Sequence, residues 1–154
     1  MTMYHSTRDA GEKMTASQAI LCGICADEGL FVPEEIPALD LPLSQLGELD
    51  YKETAYNVMR LFLDDFTEEE LRRCIGSAYD EKFDSPLIAP MTKCKMAHFL
   101  ELYHGRTIAF KDMALSILPY LMTTSAAKTG QTEDIVILTA TSGDTGKAAM
   151  AGFA

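Results

Sequence analysis

Two short stretches carry residue types and spacings that could do chemistry. The first is His104-Gly-Arg-Thr-Ile-Ala-Phe-Lys-Asp-Met-Ala-Leu-Ser-Ile-Leu118, in which Lys111 and Asp112 are the only charged residues from Thr107 to Tyr120. So apolar a run predicts a buried helix carrying a lysine. Taking an ammonium out of water disfavours its charged form, lowers its pKa and leaves an amine that can attack an aldehyde. The bland alternative is a lysine whose stem lies along the surface with its head in water.

The second stretch is Ile135-Val-Ile-Leu-Thr-Ala-Thr-Ser-Gly-Asp-Thr-Gly-Lys-Ala-Ala149. It reads as a β-branched strand, a tight loop and a helix N-terminus. Free N–H groups and the positive end of the helix dipole make such a terminus a seat for a carboxylate or phosphate. An aldehyde-reactive lysine followed by an anion-binding turn suits Schiff-base chemistry with pyridoxal 5'-phosphate.

Together the two motifs resemble those of the threonine synthases, pyridoxal-phosphate enzymes with the tryptophan-synthase β-like fold. The family's His-Gly-Pro-Thr-x-Ala-Phe-Lys-Asp stands here as His104 to Asp112, with Arg106 in place of the proline, and Thr-Ala-Thr-Ser-Gly-Asp-Thr-Gly stands unaltered from Thr139 to Gly146. Losing the proline loosens the turn without touching a reactive group. The opening Tyr4-His-Ser-Thr-Arg8 and the later Asp27-Glu-Gly-Leu-Phe-Val-Pro33 also look like N-terminal threonine-synthase motifs, with Glu28 where a glycine is common.

The resemblance implies that Lys111 is the catalytic residue and holds the cofactor, that Asp144 approaches it, and that Ser142, Gly143, Thr145 and Gly146 grip the carboxylate of O-phospho-L-homoserine. It implies a conversion of that substrate and water to L-threonine and phosphate. No metal is expected. The phosphate-binding loop and the partner of the pyridine nitrogen lie further along in relatives. The chain is therefore expected to be the N-terminal part of a longer enzyme, inactive by itself.

The elements that must position these motifs give the fold class: α/β, with a small α-rich unit over residues 1–90 and the start of an open α/β domain over 91–154. Thr15-Ala-Ser-Gln18 is a capping box opening a helix expected to run to Asp27-Glu28 and to stop at Gly29. Ala55, Val58, Met59 and Phe62 share one face of a helix from Tyr51 to Asp64. Thr67-Glu-Glu-Glu70 caps another, on which Leu71, Cys74, Ile75, Ala78 and Tyr79 recur at helical spacing. Pro33, Pro37 and Pro42, then Pro86 and Pro90, mark connections. Met96 to Tyr103 reads as a strand leading to the lysine, with His98 structural. Residues 123–134 read as a polar connection. His104 could pack under the turn or touch ligand.

Composition narrows the partners. With 47% hydrophobic and 23% charged residues the chain is globular, and a net charge of −10 argues against nucleic acid and anionic membrane surfaces. No run reaches the ~20 apolar residues of a bilayer span, and no secretory signal is visible, so a cytoplasmic location is the default. Cys22 and Cys25 form a C-x-x-C pair without the second pair a zinc site needs, and buried small hydrophobes are favoured.

Two other classes are weighed. The turn ending at Lys147 resembles a nucleotide-binding P-loop, but Thr141 replaces its first glycine and Ala148 its magnesium-binding hydroxyl. A non-catalytic, threonine-synthase-like module is the third reading. An uncapped apolar strand would also invite self-association between copies.

Overall fold

The computed structural model describes residues 1–9 and 11–154. Its described elements are β1 (Tyr4–Ser6), α1 (Ala16–Cys22), β2 (Phe31–Pro33), α2 (Leu43–Leu46), α3 (Tyr51–Phe62), α4 (Glu68–Ala78), β3 (Met91–Cys94), β4 (Ala97–Leu100), α5 (Asp112–Leu115), α6 (Leu118–Thr129) and α7 (Asp144–Phe153). The fold is mixed α/β and rich in helix, with two antiparallel two-stranded ribbons, β1–β2 and β3–β4.

Local capping chemistry places the helices. Thr15 Oγ1 accepts the Gln18 N–H while Gln18 Oε1 accepts the Thr15 N–H, and Thr67 with Glu70 repeats the arrangement at α4. Asp50 caps α3 through the Glu53 N–H at 2.8 Å. The predicted apolar face of α4 is the centre of the core: Leu71, Cys74, Ile75, Ala78 and Tyr79 are buried with Phe66, Phe83, Ile88, Ile117 and Leu121. Tyr51, Ala55, Tyr56 and Met59 of α3 lie against this cluster, whereas Val58 is exposed.

Several elements differ from expectation. Helix α1 stops at Cys22, because Gly23 takes a φ of 75° and returns its N–H to the Ala19 carbonyl. Gly29 is needed for another reason: a Cβ there would fall 1.9 Å from Ser6 Oγ. Residues 123–129 continue α6 to a left-handed cap at Gly130, since Thr124 and Ser125 are buried in the packing of α6 on α1 and α4. The strand expected from Met96 is the second arm of a hairpin, with Cys94 opposite Ala97 and Lys95 at a φ of 54°. Its residues are exposed, His98 included. Cys25 and Cys74 are buried, whereas Cys22 and Cys94 are exposed.

The lysine segment is not one buried helix. Turns run through residues 105–111, Ile108 sits at a φ of 59°, and α5 is a single turn, followed by α6 from Leu118 with Pro119, which has no N–H to give, in its first turn. Ile108 and Phe110 are exposed. Ile135–Leu138 forms no regular element and pairs with no described strand, and Val136 and Leu138 are 84% and 94% exposed. A run of this composition forms a ladder only when neighbouring strands supply donors and acceptors.

Candidate functional site

The lysine loop is held by the residue that follows the lysine. Asp112, 3% exposed, accepts the Thr107 N–H at 2.8 Å and the Thr107 hydroxyl at 2.7 Å. The loop closes so tightly that a Cβ on Gly105 would meet the Asp112 side chain at 2.5 Å. Ile108 N–H to Gly105 O and Asp112 N–H to Ala109 O complete the turns. Lys111 thus stands at the N-terminal edge of α5, half-buried, with Nζ 3.7 Å over the Phe110 ring. The lysine ion pairs among the described residues belong to Lys13, Lys82 and Lys128, so the Lys111 amine has no carboxylate to displace.

The second motif makes a turn around one hydroxyl. Thr141 Oγ1 accepts the N–H groups of Gly143 at 3.1 Å and Gly146 at 3.0 Å. Gly143, at a φ of 137°, is the N-cap of α7, a conformation that glycine alone adopts without strain. The N–H groups of Gly143 and Gly146, expected to face an anion, are therefore occupied. Those of Ser142, Asp144 and Thr145 find no acceptor among the described residues and sit at the positive end of α7. Ser142, Gly143 and Asp144 are exposed, Thr145 is half-buried and Gly146 buried. Thr141 was absent from the predicted site, although a threonine two residues before a glycine at a helix start is a known turn signal. Two of the N–H groups that a P-loop would turn toward phosphate thus go to its hydroxyl, which counts against the nucleotide reading.

The turn and the lysine belong to packed helices. Gly152 of α7 lies so close to the end of α5 that a Cβ there would come 2.3 Å from the Leu115 carbonyl oxygen. The open depression at the turn is lined by Thr139, Ala140, Thr141, Gly143, Gly146, Lys147, Met150 and Ala151. Lys111 is not in its wall.

The N-terminal motifs lock together as well. Ser6 Oγ lies 2.7 and 2.8 Å from the two Asp27 carboxylate oxygens, Thr7 exchanges bonds with Leu30, and Arg8 Nη1 donates to the Asp27 carbonyl. The Ser6 hydroxyl foremost, then the Gly29 N–H at 2.9 Å, holds the Asp27 carboxyl below its usual range, with the Arg8 charge adding to them. Glu28, where the resemblance leads one to expect glycine, has a φ of 65°.

A family model described as threonine synthase N terminus matches residues 3–79. Threonine synthase of Pseudomonas aeruginosa is 37% identical over an alignment of 152 positions, gaps included, that covers 97% of this chain and 32% of that protein. Threonine synthase of Saccharomyces cerevisiae is 34% identical over an alignment of 168 positions, gaps included, that covers 98% of this chain and 32% of that protein. The crystal structure of pyridoxal-phosphate-bound threonine synthase from Brucella melitensis superposes with a TM-score of 0.88 at 33% identity, covering 99% of this chain and 33% of that one. The chain thus spans about a third of the length of the relatives it matches. With the two N-terminal motifs bonded to each other inside the matched region, this chain belongs to the threonine synthase family.

Proposed function

We propose that the chain supplies the cofactor lysine and the substrate-carboxylate turn of a pyridoxal-phosphate-dependent threonine synthase acting on O-phospho-L-homoserine. The observation that carries the proposal is the state of Lys111: a half-buried amine, paired with no carboxylate among the described residues, on a loop pinned by Asp112. An unpaired amine with an aromatic face beside it suits an aldehyde and a planar ring. When bound, pyridoxal phosphate would act as the sink for the charge left at Cα after proton loss.

The residues of this chain have distinct tasks in that reading. Lys111 Nζ takes the proton from Cα and then moves protons at Cβ while the γ-phosphate leaves and water adds. The free N–H groups of Ser142, Asp144 and Thr145, with the Ser142 and Thr145 hydroxyls, hold the substrate carboxylate. Gly143 and Gly146 shape the turn around Thr141, and the Asp144 side chain faces the cofactor. Residues 1–90 form the N-terminal unit and 91–154 begin the cofactor-binding domain. The bare run Ile135–Leu138 favours association between copies when nothing else covers it.

Phosphate release from O-phospho-L-homoserine is the test. The polypeptide at the length of its relatives should turn over, Lys111→Ala should lose activity by at least about a thousandfold, and the 154-residue chain alone should release none. Turnover by the Lys111→Ala variant, or by the short chain, would overturn the proposal. Among the described residues no helix is long and apolar enough to cross a membrane.

A further inference from the structure

His104 begins the lysine loop, and both of its ring nitrogens meet carboxylates. Nδ1 lies 2.5 Å from Asp84 Oδ1 and Nε2 lies 2.7 Å from Glu101 Oε2. A neutral imidazole has one N–H and can donate to only one of them; two carboxylate partners need both nitrogens protonated. The ring is stacked on Tyr103 with centroids 4.8 Å apart, and the side chains of His104 and Glu101 are only 15% and 18% exposed. Glu101 also accepts the Thr92 hydroxyl at 2.9 Å, which ties β3 to the same carboxylate. The His104 carbonyl accepts the Asp84 N–H, so the residue is fixed by backbone and ring together.

We infer that His104 is a positioning residue which, as an imidazolium, clamps the β3–β4 hairpin and the segment after α4 to the start of the lysine loop and so sets the place of Lys111. The path is short. Gly105 follows directly and abuts Asp112, whose carboxylate holds Thr107, and Asp112 is bonded in sequence to Lys111. That the clamp serves catalysis rests on the reading of Lys111 as the cofactor lysine. The charged and titratable groups around the ring are Asp84 from the segment after α4, and Glu101 and Tyr103 from the segment after β4. The bond to Glu101 first, then that to Asp84, raises the His104 pKa above its ordinary value of 6.5.

The clamp therefore has a direction in pH. A histidine whose folded pKa is raised contributes fully below its unfolded value, and its contribution fades as pH climbs through the folded value. Above that point one carboxylate loses its donor, the two carboxylates repel, and the loop loosens.

Nitrogen-detected NMR of the 154-residue chain tests this without cofactor. Both His104 ring nitrogens should be protonated at pH 6.5, with a midpoint above the ordinary value, and Glu101→Gln should lower that midpoint. Hydrogen-exchange protection of the Thr107 amide should fall about tenfold in His104→Ala and fall likewise in the native chain as pH passes the midpoint. A midpoint at the ordinary value, or Thr107 protection unchanged in His104→Ala and across the titration, would overturn the inference. Should His104→Ala not fold, the Glu101→Gln shift and the native pH profile decide alone. Borohydride trapping of pyridoxal phosphate, done separately, keeps the two claims apart: no adduct on Lys111 with the NMR results intact removes the function and leaves the clamp.

Discussion

The buried carboxylate of Asp112 accepts both the N–H and the hydroxyl of Thr107, closing the loop that presents Lys111. A carboxylate with two such donors organises its neighbours, and removing it strands a buried N–H. Asp112→Ala should cost about 1–3 kcal/mol of stability, read as a lower urea midpoint with an unchanged slope. An unchanged midpoint would mean that the loop is held elsewhere.

Gly152 is the point where α7 meets the backbone of α5. Because a Cβ there would come 2.3 Å from the Leu115 carbonyl oxygen, a larger residue must push the helices apart. Gly152→Val should lower stability by about 1–3 kcal/mol and speed exchange of the α7 amides. Equal stability would show that the contact gives way without loss.

Glu28 holds a left-handed backbone at a φ of 65°, a conformation that costs a residue with a Cβ and suits glycine. Its ion pair with Arg8 spans 3.5 Å between exposed side chains and offsets little. Glu28→Gly should therefore raise stability by about 0.5–1 kcal/mol, visible as a higher denaturant midpoint. A fall would mean that Glu28 makes a contribution larger than its strain.

Ser6 and Asp27 give a pH prediction. The hydroxyl bond is the first cause of the lowered Asp27 pKa. A depressed carboxylate stabilises the fold above its unfolded value and loses that contribution as pH falls through the folded one. Ser6→Ala should move the Asp27 carboxyl, followed by carbon-detected NMR, back toward the ordinary range and move the onset of acid unfolding to higher pH. An unmoved Asp27 would assign the shift to the Gly29 N–H and Arg8 instead.

What the sequence disclosed, and what it hid, follows from range. The boxes at Thr15 and Thr67 and the apolar stripe of α4 depend on residues three or four apart, so they were legible and stand as read. The lysine segment looked like one helix because its apolar content suggests burial, whereas the break depends on Asp112 reaching back five residues to Thr107 and on Ile108 at positive φ. The polar tail of α6 is helical because α1 packs on it, a contact about a hundred residues away in sequence. Thr141 lies inside the Thr139–Gly146 motif, but its role as acceptor for two glycine N–H groups appears only once the turn is closed. The strand at Ile135 has the right residues and no described partner.

The central claim is that Lys111 is the amine that captures the cofactor. Pyridoxal phosphate is added to the polypeptide containing these residues at the length of its relatives, reduced with borohydride, digested and mapped. A phosphopyridoxyl group should form on Lys111 in preference to every other lysine. An adduct on another lysine, or labelling spread evenly over the surface, would contradict it.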